Sequence, residues 1–249
     1  GCDQGISPTI WQQSRYPAEL RNKIEVIHEG IDTEIVKPDS GAWVEINGQR
    51  LQAGDEIVTY VARNLEPYRG FHTFMRSLPK LQALRPNAKV IIVGGDEVSY
   101  GKRLPEGQTY RQRYCAEVLD QVDWSRIFFV GKLPYADYLK VLQISATHIY
   151  LTYPFVLSWS MLESMAAGCL LVASDTAPVK EVIEDGQNGL LVDFFDHDRL
   201  ANKVAEVLAN PEIYQSLRNN ARKTIVEQYD LKTLCLPKML DKLCSSAKK

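Results

Sequence analysis

The sequence predicts an α/β protein built on a doubly wound, mostly parallel sheet. Three observations carry that expectation. Short apolar runs such as "KVIIVGG", "RIFFVG" and "LLVASD" are apolar throughout, as strands covered on both faces are. Stretches of about ten to fifteen residues at helical spacing separate them, the alternation of a parallel sheet with crossover helices. One such domain of six or seven strands accounts for the 249 residues.

Taken in order, residues 1–23 are polar, carry Pro8 and Pro17, and read as loop and short helix. "KIEVIHEGID" is a brief strand closed by a turn at Gly30. "WVEINGQRLQAGDEIVTYVAR" sets an Asn-Gly pair between alternating residues, a hairpin signal, and runs into a buried strand near 57–62. "GFHTFMRSLPKLQALRP" spaces Phe71, Phe74, Leu78 and Leu81 along one helical face, and "KVIIVGG" follows as a strand. The helix "TYRQRYCAEVLDQV", the strand "RIFFVG" and the helix "PYADYLKVLQIS", with proline in its first turn, come next. "THIYLTY" is a strand, "SWSMLESMAAG" a helix stopped by Gly168, "LLVASD" a strand, "PVKEVIEDG" a short helix and "NGLLVD" the last strand. Three helical stretches close the chain between Asp196 and Leu243.

Composition is that of an ordinary globular protein. The net charge of −2 gives no electrostatic case for nucleic acid or an anionic membrane, and no apolar run is long enough to span a bilayer. The five cysteines are scattered without a C-x-x-C pair, which favours reduced thiols and a cytoplasmic location. The chain opens at Gly1, in the turn-like "GCDQGISPT", and reads as a piece of something longer.

Ligands of such sheets bind at the carboxyl ends of the strands, where helix N-termini present free N–H groups. After "IVTYVAR" come Arg63 and, six positions on, Arg69. Two guanidiniums flanking a loop that opens a helix suit a pyrophosphate, which they would clamp bidentately. Taken alone the pair is a weak signal, and surface arginines paired with Glu66 or with helix carbonyls account for it more simply. After "THIYLTY", Ser158 or Ser160 can cap the next helix and make its tip an anion site. Glu163, about one turn in, would accept hydrogen bonds from hydroxyls such as those of a ribose, or serve only as a first-turn glutamate favoured by the helix dipole. Trp159 is expected in the core. "DHD" at 196–198 imitates a metal-binding D-x-D but directly precedes "RLANKVAEVLAN", so Asp196 is expected as an N-cap. "VGGDE" lacks the G-x-G-x-x-G spacing, the four histidines are far apart, so no metal site is expected, and no G-x-S-x-G elbow is present.

In this order the pieces resemble the C-terminal, nucleotide-sugar-binding half of a GT-B glycosyltransferase of the family 4 kind, over nearly the whole chain. "KIEVIHEGIDTEIVKP" resembles the start of that half, with His28–Asp32 where "vi-x-N-G-v-D" is usual. "ARNLEPYRG" resembles "GRLxPxKG", whose basic pair binds the donor pyrophosphate, a role this carries to Arg63 and Arg69. "FFVGKLPYADYLKVLQIS" resembles the strand and loop lining the base pocket, which implicates Gly131, Lys132 and Leu133. "SMLESMAAGCLLVASDTAPVKEVIEDGQNGLLVD" is similar almost position by position to "LLEAMAxGxPVVAsxxGGxxEvIxxGxxGxLv", and makes Glu163 the second glutamate of a Glu-x7-Glu pair, the one that holds the ribose. The first glutamate is replaced by Phe155, "EGFGLP" by "FVLSWS", and the "GG" pair by Ala177-Pro178.

The resemblance implies a Rossmann-like domain at 24–229, a linker at 1–23 from an N-terminal domain outside this chain, and a C-terminal helix and tail at 230–249. It implies retaining transfer of a hexose from a UDP- or GDP-linked sugar without a further cofactor. Arg63 and Arg69 would stabilise the leaving diphosphate, helped by the amides of 158–161, and Phe155, Ser158, Ser160, Met161, Leu162 and Glu163 would surround the donor. The acceptor, a sugar or glycolipid, and any peripheral membrane contact would belong to the other domain, so this chain alone would bind nucleotide and transfer little. Phe155 leaves two other readings open: a non-catalytic nucleotide-sugar-binding or regulatory domain, and a GT-B-like epimerase or phosphorylase.

Overall fold

The structure, a computed structural model, describes residues 4–246. It opens with β1 (Gly5–Ser7), α1 (Ile10–Ser14), α2 (Ala18–Arg21) and β2 (Ile24–Val26), where β1 and β2 pair in parallel as a small sheet of their own. β3 (Trp43–Ile46) and β4 (Gln49–Gln52) form an antiparallel hairpin. Asn47 and Gly48 at its tip have φ of 53° and 73°, the doubly left-handed turn that an Asn-Gly pair favours. The alternating part follows as β5 (Ile57–Asn64), α3 (Phe71–Leu84), β6 (Lys89–Gly95), α4 (Tyr110–Glu117), β7 (Ile127–Gly131), α5 (Tyr135–Gln143), β8 (Thr147–Tyr150), α6 (Trp159–Ala166), β9 (Leu171–Ser174) and β10 (Leu190–Val192). The chain then closes through α7 (His197–Ala209), α8 (Gln215–Gln228) and α9 (Leu236–Ser246).

The six strands β5 to β10 form one parallel sheet in the order β10-β9-β8-β5-β6-β7. From β5 the chain winds to one edge, then returns to the other side of β5 and winds to the opposite edge. The reversal between β5 and β8 opens a crevice at their carboxyl ends, the place where such sheets take ligands. Both faces are covered. Val58 and Tyr60 of β5 join Phe71, Phe74 and Leu78 of α3 and Val204 and Leu208 of α7 on one side. On the other, Met161, Leu162 and Met165 of α6 pack with Leu171 of β9 and Ile225 of α8, and Leu51 of the hairpin packs with Ile57 and Ile91. Two-sided burial is why these strands read as unbroken apolar runs.

The structure differs from the sequence reading in three places. β1 forms within a segment read as loop and short helix. Its pairing with β2 comes with a distant clamp: the Glu181 carboxylate accepts the Ile10 and Trp11 N–H groups at 2.7 and 2.6 Å, capping α1. "PVKEVIEDG" makes only a 3₁₀ turn at Val179–Glu181. α4 ends at Glu117, and side chains from the following turn meet the carbonyls at and just past its end: Gln121 donates to that of Glu117 at 3.0 Å and Trp124 to that of Leu119 at 2.9 Å. Gly168 does stop α6, at φ 84°, and Asp196 does cap α7, its Oδ1 accepting the Arg199 N–H at 2.8 Å. Cys115, Cys169, Cys235 and Cys244 are free thiols, and Cys2 lies outside the described residues. Among the described residues no helix is long and apolar enough to cross a membrane.

Candidate functional site

The site is built where β5 and β8 release the chain. β5 pairs Val61 with Val93 and then Asn64 with Gly95, one residue more than β6 spends over the same stretch, and Arg63 on this bulge is exposed. Leu65 and Glu66 follow, then a 3₁₀ turn at Pro67–Arg69 that ends in Gly70, left-handed at φ 68°, from which α3 starts. The turn aims Arg69 back toward β8. Its guanidinium donates to Thr152 Oγ1 at 2.9 Å and to the Val156 carbonyl at 3.2 Å, and its own carbonyl accepts the Tyr60 hydroxyl at 2.6 Å. The Tyr100 and Phe155 rings, edge to face at 4.7 Å, lie 5.6 and 5.5 Å from the guanidinium carbon of Arg69.

Arg63 and Arg69 line a single cavity of about 260 Å³, together with Asn64, Glu66, Tyr100, Tyr150, Ser158 and Trp159. Glu66 pairs with neither arginine. It is 1 % exposed, and its Oε2 accepts the Tyr100 and Gly101 N–H groups at 3.1 and 2.9 Å. Its Oε1 has no hydrogen-bond partner among the described residues, nor has Oδ1 of buried Asn64, whose Nδ2 donates to Ser99 Oγ at 2.7 Å. A buried acceptor left unmet costs about 1–3 kcal/mol, so both oxygens favour a donor arriving from outside.

Ser158 caps α6, and the helix tip largely satisfies itself. The Ser158 N–H donates to the Tyr150 hydroxyl at 2.8 Å, the Ser160 N–H reaches Ser158 Oγ at 3.4 Å, and the Met161 N–H donates to the Ser158 carbonyl at 3.1 Å. A phosphate at this tip would compete with those acceptors. Burial pushes the Tyr150 phenol up, so it stays protonated at neutral pH. Trp159, expected in the core, is instead 57 % exposed beside the cavity. As the first helical residue it faces outward, while Met161, Leu162 and Met165 take the packing positions beneath. Met161 and Leu162 are wholly buried, so they offer a ligand only backbone.

Glu163 lies on the inner side of α6, 8 % exposed. Its Oε1 accepts the Tyr135 hydroxyl at 2.9 Å and its Oε2 the Tyr138 hydroxyl at 2.8 Å, both from α5. Burial first, and the Glu163 charge second, push both phenols up, so they act as donors. Gly131, at φ 67°, and Lys132, paired with Glu97 at 2.6 Å, sit at the end of edge strand β7. Leu133 lines a different cavity of about 710 Å³ beneath the hairpin, with Trp43, Ile46 and Phe129. The structure thus brings Arg63, Arg69 and Ser158 to one cavity, with the ring of Phe155 beside Arg69, and sets Glu163 and the 131–133 loop apart from that cavity. Asn64, Tyr100, Thr152, Tyr135 and Tyr138 were not foreseen, and Glu66 only as an arginine partner. The one local signal was the spacing of Tyr135 and Tyr138, which puts both on one helical face.

Over residues 43–224 the chain matches the family model described as glycosyl transferases group 1, and over residues 1–36 the one described as glycosyl transferase family 4 group. A GDP-mannose-dependent α-(1-6)-phosphatidylinositol monomannoside mannosyltransferase of Mycobacterium tuberculosis is 25 % identical over 94 % of this chain, which spans 60 % of that relative's length. Among solved structures, sucrose-phosphate synthase of Thermosynechococcus elongatus superposes with a TM-score of 0.82 at 21 % identity, over 100 % of this chain and 60 % of that one. Anabaena HepE in complex with UDP-glucose does so with a TM-score of 0.78 at 18 % identity, over 98 % and 64 %. The Rossmann-like architecture that the resemblance implied is the fold these proteins share.

Proposed function

The chain belongs to the glycosyl transferases group 1 family, and on that footing we propose that it is the donor-binding half of a retaining hexosyltransferase acting on a nucleoside-diphosphate sugar. The observation that carries this reading is the convergence of Arg63, Arg69 and the start of α6 on one cavity at the reversal of the sheet. As the glycosidic bond breaks, charge grows on the leaving diphosphate. Arg69, held by Thr152 and Val156, is oriented in advance for that charge, and exposed Arg63 closes on it from the β5 bulge. The Ser158 hydroxyl and the α6 tip add donors once the phosphate displaces their internal partners. Glu163 takes the ribose hydroxyls in competition with half-exposed Tyr135, and the 131–133 backbone meets the base. GDP in the name of the mannosyltransferase and UDP-glucose bound to HepE support a UDP- or GDP-linked donor.

The same relative's name supports a sugar or glycolipid acceptor. In this reading residues 1–23 lead from an acceptor-binding domain, the enzyme is cytoplasmic, and any membrane contact is made by that other domain. Phe155, an apolar ring beside Arg69, favours a second reading as a binding domain without catalysis. A full-length protein that binds the donor yet neither transfers nor hydrolyses the sugar would establish that one.

The test is ligand-induced stabilisation of this chain by UDP, GDP and ADP. A ligand at about a hundredfold its Kd adds about 2.7 kcal/mol, and Arg63→Ala should abolish most of the gain. In the full-length enzyme Arg63→Ala should lower kcat/KM about 100- to 1,000-fold. Wild-type chain that no nucleoside diphosphate stabilises, or an unchanged kcat/KM, refutes the reading.

A further inference from the structure

Away from the arginine cavity, α5 and α6 meet in a cluster of one carboxylate and two phenols, and the two phenols are anchored very differently. Tyr138, which meets Glu163 Oε2 at 2.8 Å, packs against the cluster built from Met161, Leu162 and Met165, so burial of its ring fixes its hydroxyl. Tyr135, which meets Oε1 at 2.9 Å, is the first residue of α5 and half-exposed, and Pro134 before it supplies no side-chain cap. The first turn is closed without the Tyr135 side chain, by the Asp137 and Tyr138 N–H groups on the Pro134 carbonyl at 3.1 and 2.9 Å. The Tyr135 ring can therefore leave by rotation about its own side-chain bonds, a fast motion for an exposed side chain, and α5 need not unwind. Leaving breaks one hydrogen bond to a charged acceptor. An incoming hydroxyl restores that bond, being the same kind of donor, whereas a group without a hydroxyl gives nothing back.

We propose that Tyr135 is a displaceable latch on Glu163: its phenol holds Oε1 while the site is empty and swings out when a ribose hydroxyl takes its place, and Tyr138 keeps the carboxylate fixed throughout. The proposal rests on the donor-binding reading above, in which Glu163 takes the ribose, and adds to it the residue that regulates that contact. A ribonucleotide has to break the internal bond before it makes its own, so its apparent affinity is lowered by the fraction of molecules in which the latch is shut. A nucleotide without ribose hydroxyls leaves the latch shut and is indifferent to it. Tyr135 thus sets how strongly the ribose is read, acting through Glu163 and not on the diphosphate.

The experiment is titration calorimetry of this chain with UDP and GDP and with their 2′,3′-dideoxy analogues, reading the ratio of the Kd of each analogue to that of its parent. Tyr135→Phe removes the competing hydroxyl and keeps the ring. It should raise the ratio about threefold to tenfold, the net worth of one hydrogen bond, by tightening the ribonucleotide, with the analogue changed less than about twofold. Tyr138→Phe is the contrast, since it removes a hydroxyl from the same carboxylate at an anchored position and should tighten neither. A ratio that Tyr135→Phe leaves unchanged or lowers overturns the latch, because Tyr135 then stays on Glu163 in the complex as a support. Parallel tightening of parent and analogue, or equal tightening in Tyr138→Phe, overturns it as well. If Tyr135→Phe fails to fold, Tyr135→Ala, which removes the same hydroxyl, is read in its place. Wild-type chain that binds parent and analogue alike sinks the ribose role of Glu163 and the latch with it. If neither UDP nor GDP binds, the donor-binding reading itself fails, an outcome distinct from binding that Tyr135 does not alter.

Discussion

Both carboxylate oxygens of Glu163 are taken by phenols, and the two phenols differ in what surrounds them. Tyr138 is largely enclosed, whereas Tyr135 is 51 % exposed. Removing the Tyr138 hydroxyl leaves a buried carboxylate oxygen without a donor, a loss of about 1–3 kcal/mol. Removing that of Tyr135 leaves an oxygen that water or a ribose can reach. Tyr138→Phe should therefore lower the urea midpoint clearly more than Tyr135→Phe does, and equal losses would show that both sides of Glu163 are equally sealed. The carboxylate is thus held in place before any ligand arrives, with one oxygen open to exchange.

At the level of the element, the turn between β5 and α3 depends on Gly70. Its φ of 68° is left-handed, and a Cβ there would stand 2.3 Å from Leu151 Cβ. Gly48, at φ 73°, has the same handedness but no atom within 4 Å of such a Cβ. The backbone strain, about 1–2 kcal/mol, is common to both positions, and the clash at Gly70 adds about 1–3 kcal/mol more. Gly70→Ala should accordingly cost at least about twice what Gly48→Ala costs in equilibrium unfolding. It should also weaken nucleotide binding, since Arg69 is the adjacent residue. Equal costs would mean that the turn shifts away from Leu151 without loss.

Across the whole molecule, Asp230 joins the segment before the hairpin to the closing helices. Ile31 bridges to Asp230, whose carboxylate accepts Thr33 Oγ1 at 2.6 Å, Thr233 N–H at 2.8 Å and Thr233 Oγ1 at 2.7 Å. Burial pushes this carboxyl up, but the hydroxyl and N–H donors outweigh it and hold it at about 2, below the ordinary 3.8. A folded value below the unfolded one means stabilisation that is complete above about pH 4 and lost as pH falls toward about 2. The melting temperature of wild type should therefore drop more steeply than that of Asp230→Asn between those limits. Parallel curves would remove Asp230 from the acid response.

Strand and helix periods, the Asn47-Gly48 turn, the Gly168 stop and the Asp196 cap could be read from the chain, as could the placing of Arg63, Arg69, Ser158 and Glu163 at strand exits and helix starts. Each depends on residues within a turn or two of one another, where backbone sterics and nearest-neighbour hydrogen bonds dominate. Which of those groups share a space could not be read in this way. Tyr100 and Phe155 are brought edge to face from opposite sides of the reversal, Glu66 turns to the backbone of 100–101, the phenols of α5 close on Glu163, and Leu133 opens into another cavity. Trp159 is exposed because its neighbours on α6 fill the core first. These outcomes follow from strand order and register, which are set by burying both faces of one sheet at once, a sum over contacts far apart in sequence that no local pattern encodes.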